Sequence, residues 1–411
     1  MNILIISQYF WPENFKINEL AEYINKKHNV TVLTGWPNYP EGKFDKNFLQ
    51  FKQKYKSYNG VEIIRVKVFP RKKNKFFLIL NYFSFAFNSI ISGYWKIKKK
   101  KFDLIFVYQP SPITVALPGL FYKFIYKAKL VTWILDIWPE TLSAVNAFRN
   151  IFLLKIVLFI LRYFVKFYYR FNDIIFTTSV SAKKIVSKNV IKKNIIDTLF
   201  SWETFSNTSS INYDNFINFD MSIFNTNKLK ITFAGNIGEA QDFESFIKSV
   251  EILNKQLPNR INWIILGDGS KSRWLKNTIK TKNISNVFIL GRFNSKYMTW
   301  FYDRSDLLMI NLKKSELFQH VIPAKIQSYL ASKKPIVGMI SGEVYDLINK
   351  QKAGIIVKSG NYNEFTKVII KFLNMTDDEI KIYRNNAFKI YTSKFDKVKI
   401  LDELILKIEN V

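Results

Sequence analysis

The alternation of short apolar runs with helical patterns constrains this chain more than any other feature of its sequence. Residues 3–6 are an uninterrupted apolar run typical of a buried parallel strand, and the next apolar side chains recur at helical spacing, at Ile17, Leu20, Ala21 and Ile24. Strand-like runs follow at 30–34, 61–68, 104–108, 130–135 and 174–178. Strands that alternate with helices form a parallel sheet with helices on both faces. The first half of the chain therefore predicts a doubly wound α/β domain.

A second series of the same kind starts near residue 229. Its strand-like runs lie at 230–234, 263–266, 287–290, 307–310, 335–339 and 354–357. Residues 206–228, between the two series, are rich in Asn, Ser and Thr, which indicates a linker. A chain of 411 residues is long enough to bury two cores. We therefore predict domains at 1–205 and 229–394, a linker at 206–228 and an amphipathic C-terminal helix at 395–411.

The formal net charge of +30 predicts a surface that attracts polyanions. Nucleic acid is one such partner, but the sequence contains no zinc finger, no aromatic RNP motif and no basic heptad region, so we predict no nucleic-acid binding. The chain has no cysteine and only two histidines, which excludes disulfides, thiolate metal sites and a cysteine nucleophile and disfavours a histidine-rich metal site.

Two segments interleave basic and aromatic residues. Basic residues precede and follow the aromatic run 76–87, at Arg71, Lys72, Lys73, Lys75, Lys96 and Lys98–Lys101, and the segment 148–171 carries five more basic residues. This pattern is typical of helices that lie at an anionic membrane surface. The alternative is a pair of domain-packing helices with basic outer faces.

We expect neither segment to span a bilayer, because charges interrupt each one before about 20 apolar residues accumulate. The apolar run at residues 1–6 is too short for a signal peptide. The predicted location is therefore cytoplasmic and peripheral, at the inner face of a plasma membrane.

A turn between a strand and a helix, at Phe233–Asp242, carries the sharpest local signal. Gly235 and Gly238 are spaced as Gly-x-x-Gly, directly after the predicted strand. Small residues let the backbone approach a phosphate, and the amide groups at a helix start attract negative charge. A tight turn that binds nothing explains the spacing equally well.

Seven segments of the chain, in this order, resemble glycosyltransferase family 4, a family of retaining enzymes with the two-domain GT-B fold. They are Ser7–Glu13, Gly35–Gly42, Tyr108–Ile113, Asp136–Glu140, Gly235–Gln241, Leu266–Ser270 and Pro323–Ala331. The likeness is greatest to the subgroup of the WbuB and WcaI type, which assembles O-antigen, capsule or exopolysaccharide. It implies two Rossmann-like domains facing an interdomain cleft, with a C-terminal helix at 395–411 that crosses back to the first domain. It also implies transfer of a sugar from a nucleotide carrier, expected to be a UDP-sugar, to a polyprenyl-diphosphate-linked glycan.

The resemblance assigns the donor to the second domain. It implies that Gly235, Asn236 and Gly238 cradle the diphosphate, with Asp268 in the matching loop of the next strand. Many family members have an arginine and a lysine at the positions of Asn236 and Gln241, and both basic residues are absent here. We therefore predict that Lys325 balances the leaving diphosphate, with Arg292 as a second candidate; the alternative for Lys325 is a solvated lysine at a helix start.

A second departure concerns two glutamates, eight positions apart, that contact the donor in this family. The alignment places His320 and Ser328 at their positions, and Lys333 replaces the usual glycine. The donor sugar therefore stays open. His320 fits a plain loop histidine as well as a sugar contact.

The acceptor is expected in the first domain. Asp136 ends a predicted strand, and Asp136 and Glu140 are candidate carboxylates to orient the acceptor hydroxyl; an N-cap of the next helix explains Asp136 equally well. Glu13 and the Trp-Pro-Asn-Tyr-Pro loop with Asn38 and Tyr39 are candidate acceptor contacts.

No Asp-x-Asp pair follows a strand in the manner of a metal site, so we predict no metal and no cofactor beyond the nucleotide sugar. In retaining GT-B enzymes the leaving phosphate is thought to take the acceptor proton, and the resemblance implies the same here. Two other functions stay open: a nucleotide-sugar epimerase on the same fold, and a non-catalytic subunit that binds nucleotide sugar or lipid.

Overall fold

The computed structural model describes residues 1–72, 75–144, 151–190, 195–203, 219–315, 317–320 and 322–411. The chain divides into two compact units. The first comprises Met1–Phe200 together with Val398–Val411, and the second comprises Ser201–Lys397. Most of the predicted linker, from 206 to 218, lies outside the described residues; its last part contains Ile223 and Phe224, which are buried.

The first unit contains a sheet of eight strands among the described residues. The strands are β1 Asn2–Ser7, β2 Asn29–Gly35, β3 Ser57–Tyr58, β4 Val61–Val66, β5 Leu104–Gln109, β6 Lys129–Ile134, β7 Ile174–Thr177 and β8 Ile195–Thr198. Their order is β3-β4-β2-β1-β5-β6-β7-β8, and only the short β3 runs antiparallel to its neighbour. The order reverses between β1 and β5, so the carboxyl ends of these two strands mark the expected ligand position.

Helices cover this sheet because each has one apolar face. They are α1 Lys16–Ile24, α2 Lys46–Gln50, α3 Lys75–Ile97, α4 Ala116–Tyr126, α5 Glu140–Ala144, α6 Ile151–Arg170 and α7 Val180–Ser187. In α1, Ile17, Leu20, Ala21 and Ile24 are fully buried, as their spacing predicts. The core joins these faces to strand residues that are buried on both sides of the sheet.

Helix α3 corrects one expectation. We expected charges to interrupt its apolar run, but residues 76–95 carry no charge; polar Asn, Ser and Gly residues break the run instead. Phe76–Ile97 contains an 18-residue window with a mean hydropathy of 1.4 and is long and apolar enough, by length and composition, to cross a membrane. One side of the helix packs against β2, β4 and α4, and includes Asn81, Phe85 and Ser89, which are fully buried. The other side is exposed.

The second unit contains a six-stranded parallel sheet among the described residues, with the order β11-β10-β9-β12-β13-β14. The strands are β9 Leu229–Ala234, β10 Ile261–Leu266, β11 Val287–Gly291, β12 Leu307–Asn311, β13 Ile336–Met339 and β14 Gly354–Val357. The helices are α8 Phe243–Gln256, α9 Ser272–Thr281, α10 Met298–Asp303, α11 Lys325–Ala331, α12 Glu343–Lys350, α13 Tyr362–Leu373 and α14 Asp377–Ile390. The strand order reverses between β9 and β12, next to the Gly235 turn.

The last helix, α15 Lys397–Glu409, belongs almost entirely to the first unit. Its residues Ile400, Leu401, Leu404, Ile405 and Ile408 are buried. Lys407 forms an ion pair with Asp197 of β8 at 2.6 Å, and Asp402 accepts a hydrogen bond from Tyr23 of α1 at 2.8 Å. The two sheets, parallel except for β3, together with their helices confirm the predicted α/β class.

Candidate functional site

A cavity of about 430 Å³ lies at the carboxyl ends of β9, β10 and β11 in the second unit. The turns after these strands and the start of α11 form its wall. The polar residues that line it are Glu203, Asn236, Asp268, Arg292, Ser295, Tyr302, Lys325 and Ser328. Five of the predicted donor residues therefore share one cavity with Lys325: Gly235, Asn236, Asp268, Arg292 and Ser328.

Glycines set the close packing of the turns at this edge. The N–H of Gly235 donates to the carbonyl of Leu266 at 2.8 Å, and the N–H of Gly267 donates to the carbonyl of Gly291 at 2.6 Å. Gly267 has a φ of +142°, and a Cβ there would lie 1.8 Å from the carbonyl oxygen of Gly235. Only glycine fits this position. The exposed backbone of Gly235 is thereby held at the cavity wall without a side chain in front of it.

Lys325, the first residue of α11, places its ammonium against this turn. The Nζ atom lies 3.7 Å from the centre of the Phe233 ring, and a Cβ on Gly235 would lie 2.8 Å from it. Removal from water at this half-buried position lowers the pKa of Lys325 to about 7. Among the described residues, no carboxylate forms an ion pair with it. A desolvated cation without a protein counter-ion is a ready partner for an anion that enters the cavity.

Glu203 is a cavity residue that the sequence did not indicate. It lies just before the predicted linker, yet its backbone belongs to the second unit, where its carbonyl accepts a hydrogen bond from Tyr391 at 3.1 Å. Its Oε2 accepts a hydrogen bond from Ser328 at 2.5 Å. Glu203 therefore places a carboxylate beside Ser328, the position at which the resemblance leads us to expect a glutamate.

Three predicted donor residues, Gly238, Gln241 and His320, lie outside the cavity lining. Gly238 donates its N–H to Oε1 of Gln241 at 3.1 Å, so the pair closes the turn before α8. His320 ends the short helix Leu317–His320.

Asp268, by contrast, lines the cavity. It also fixes its own turn, because it accepts a hydrogen bond from the N–H of Gly269 at 2.8 Å.

Asp136 and its neighbours form a second polar group, at the carboxyl ends of β5 and β6 in the first unit. Burial raises the pKa of Asp136 to about 6, although a hydrogen bond with the hydroxyl of Ser111 opposes this rise. Tyr82 of α3 faces both Asp136 and Arg71. Glu140 begins α5 and lies near Tyr169 of α6.

Glu13 organises the loop that follows β2. Its Oε1 accepts hydrogen bonds from the N–H groups of Asn38 and Tyr39, both at 2.7 Å. Burial raises the pKa of Glu13 to about 7, although the two amides and Arg65 oppose this shift. Glu13, Asn38 and Tyr39 line a cavity of about 440 Å³. The structure therefore brings these three predicted acceptor residues together and gives Glu13 a structural role.

Exposed aromatic side chains mark one side of α3 and one side of α6. On α3 they include Phe76, Phe83, Phe87 and Trp95, each between 58% and 64% exposed, and on α6 they include Phe152, Phe159 and Tyr163, each above 70%. The ammonium of Lys98 lies 3.9 Å from the centre of the Trp95 ring. Side chains of this size are normally buried, so these stripes indicate contact surfaces.

Within the described part of the chain, no group of three or more His, Asp or Glu side chains is arranged to hold a metal ion.

Comparisons with known proteins agree with this architecture. Residues 215–389 match the family described as Glycosyl transferases group 1. The chain is 20% identical over 407 residues to an uncharacterised glycosyltransferase of Methanocaldococcus jannaschii, a match that covers 98% of this chain and 97% of that protein.

Solved structures show the same fold. Anabaena HepE in complex with UDP and glucose superimposes with a TM-score of 0.69 at 15% identity, and the match covers 100% of both chains. The sucrose-phosphate synthase of Thermosynechococcus elongatus superimposes with a TM-score of 0.70 at 12% identity, over 100% of this chain and 98% of that one. The fold is GT-B, as predicted, and the matches together support a glycosyltransferase.

Proposed function

We propose that this protein is a retaining, metal-independent glycosyltransferase that moves a sugar from a UDP-sugar to a polyprenyl-diphosphate-linked glycan during bacterial surface polysaccharide synthesis. The observation that carries the proposal is the cavity in the second unit, where the desolvated ammonium of Lys325 lies against the exposed backbone of Gly235. The UDP complex of the structurally similar HepE supports a uridine nucleotide as the carrier.

In this proposal the donor diphosphate binds at the Gly235 turn. Lys325 supplies one positive charge from the start of α11, and the exposed Arg292, which follows β11, supplies a second. The diphosphate gains negative charge as the bond from the sugar to its phosphate oxygen breaks. A fixed cation that is removed from water, as Lys325 is, stabilises that charge more than water does. Glu203 accepts hydrogen bonds from hydroxyl groups of the nucleotide ribose, since a carboxylate is an acceptor only.

The transfer itself needs no side-chain nucleophile. The acceptor oxygen forms the new bond on the face of the sugar that the diphosphate leaves, and a phosphate oxygen of the leaving diphosphate takes the acceptor proton. Asp136 orients the acceptor hydroxyl from the first unit. Because the pKa of Asp136, about 6, is below neutral pH, most of this carboxylate is ionised there and accepts a hydrogen bond.

The acceptor lipid places the enzyme at a membrane. The exposed aromatic stripes of α3 and α6 insert at the interface, and nearby lysines such as Lys98–Lys101 contact anionic head groups. The location proposed is the cytoplasmic face of the plasma membrane, without a spanning segment, because one side of α3 is buried against the sheet.

A transfer assay tests the proposal. The purified protein is incubated with a panel of UDP-sugars and anionic vesicles that contain polyprenyl-diphosphate N-acetylglucosamine, and released UDP and extended lipid are measured together. We expect both products with one UDP-sugar, and a retained anomeric configuration by NMR. Epimerised UDP-sugar without acceptor would indicate the epimerase, and nucleotide binding without turnover would indicate a non-catalytic subunit. A protein that binds no nucleotide would refute the donor site.

A further inference from the structure

Arg71 is a half-buried cation in the first unit that the donor site does not use. Its guanidinium carbon lies 5.3 Å from the centre of the Tyr39 ring, and the group also faces the hydroxyls of Tyr9 and Tyr82. Among the described residues, no carboxylate forms an ion pair with it. Tyrosine hydroxyls satisfy guanidinium N–H groups but leave the charge without compensation. An anion that enters here gains a bidentate, charge-assisted partner.

The backbone at Arg71 is held from two directions. Its N–H donates to Oδ1 of Asn38 at 2.8 Å, and a Cβ on Gly42 would lie 2.4 Å from its carbonyl oxygen. Two residues earlier, the N–H of Phe69 donates to Ser84 of α3 at 2.9 Å. The backbone that carries this guanidinium is therefore fixed before any ligand binds, which lowers the entropic cost of binding.

The surroundings of Arg71 restrict the chemistry of the anion. Tyr82 lies within electrostatic range of both the guanidinium and Asp136, the proposed partner of the acceptor hydroxyl. The next residue of the same helix, Phe83, is 58% exposed and continues the aromatic stripe that starts at Phe76. The carboxylate of Asp136, the guanidinium of Arg71 and an exposed apolar side chain therefore lie around Tyr82 and Phe83 of α3. An amphiphile with a phosphate between its sugar and its hydrocarbon chain matches this arrangement.

We propose that Arg71 binds the diphosphate of a lipid-diphosphate acceptor, whose hydrocarbon chain lies along the stripe from Phe76 to Phe83 and whose sugar reaches Asp136. This inference rests on the proposed function, which it deepens by assigning the acceptor's phosphate and lipid to named residues. The lysines near α3 contact the bilayer more generally, whereas Arg71 recognises the diphosphate of one acceptor molecule.

Equilibrium binding of farnesyl diphosphate tests the assignment. The titration is followed by tryptophan fluorescence with UDP at saturation, so that the donor cavity is filled. Arg71→Gln should weaken farnesyl diphosphate binding by about tenfold or more. Lys188→Gln removes the same charge from an exposed lysine at the end of α7 and should change the affinity by less than about twofold. Farnesol, which lacks the phosphates, should bind the wild type and Arg71→Gln equally.

Three further readouts separate the possible results. Arg71→Lys keeps the charge but loses the bidentate geometry, so we expect an intermediate affinity. With the extended lipid acceptor, Arg71→Gln should raise KM and leave kcat nearly unchanged. Equal losses in Arg71→Gln and Lys188→Gln, or an unchanged affinity in Arg71→Gln, would overturn the inference. UDP binding, measured on each variant, shows that the variant is folded; a wild type that binds no UDP fails the proposed function itself.

Discussion

The affinity for UDP should depend on pH through Lys325. Without ligand this lysine has a pKa of about 7, because its ammonium is removed from water beside the Phe233 ring and has no carboxylate partner among the described residues. A diphosphate in the cavity favours the charged form and returns the pKa toward its ordinary value. Binding above pH 7 therefore takes up a fraction of a proton that approaches one as the pH rises.

The size of the effect follows from this pKa. At pH 8 about nine-tenths of the ligand-free protein has a neutral Lys325, and its protonation on binding costs about 1.4 kcal/mol for each pH unit above 7. The Kd for UDP should therefore rise roughly fivefold to tenfold between pH 7.5 and 8.5. The last phosphate ionisation of UDP, with a pKa of about 6, is complete over this range and does not contribute.

Isothermal titration calorimetry at pH 7.5, 8.0, 8.5 and 9.0 measures this slope, and its dependence on buffer ionisation enthalpy counts the protons taken up. Lys325→Arg should bind UDP without the slope, because arginine stays charged throughout. Lys325→Ala should also lose the slope and should bind about 30-fold or more weakly at pH 7.5. Lys350→Ala, at a lysine that is 74% exposed, should reproduce the wild-type curve. A flat wild-type profile, or a slope that survives in Lys325→Ala, would refute the reasoning.

Other positions give separate tests. Gly267→Ala should lower the free energy of unfolding, measured by urea titration, by about 3 kcal/mol or more, because the new Cβ meets the Gly235 carbonyl. Gly291→Ala is the control; it has open space around its Cβ and should lower the same free energy by about 1 kcal/mol. Glu13 binds its proton more tightly in the folded state than in the unfolded state. Its contribution to the free energy of unfolding is therefore complete below about pH 4.5 and is lost as the pH rises through about 7. Glu13→Gln should remove up to about 3 kcal/mol of this pH dependence. Glu203→Gln should weaken UDP binding by about fivefold without changing the affinity for inorganic diphosphate, and an equal loss for both ligands would contradict a ribose contact.

Most of the fold could be predicted from the sequence because parallel strands buried on both faces leave continuous apolar runs. The run predicted at 30–34 is the centre of β2, and the run at 335–339 contains β13. The edge strands β3 and β8 were missed. β3 has only two residues, and β8 is a four-residue strand whose side chains are half-buried or exposed, so neither carries a hydrophobic pattern that distinguishes it from a loop.

The cavity was predictable in part, for a physical reason. The Gly235 turn is a local feature, encoded in a few consecutive residues that follow a strand. Glu203 and Ser328 are 125 positions apart, and no local pattern indicates that their side chains meet. The hydrogen bond between Gly238 and Gln241 is local, but the choice between a phosphate contact and a closed turn depends on the side-chain rotamer of Gln241, which the sequence does not specify.

The loss of two basic residues gives Lys325 its importance. Positions 236 and 241 carry Asn and Gln, where the resemblance leads us to expect an arginine and a lysine, and Gln241 instead closes the turn before α8. Of the cations that line the cavity, Arg292 is exposed to water, which screens its charge, whereas Lys325 lies in a desolvated position. The electrostatic attraction for a diphosphate then depends mainly on the ammonium of Lys325. The bound anion in turn favours the protonated form of this lysine. A site of this kind releases a proton whenever the nucleotide leaves, so product release should become faster as the pH rises above 7.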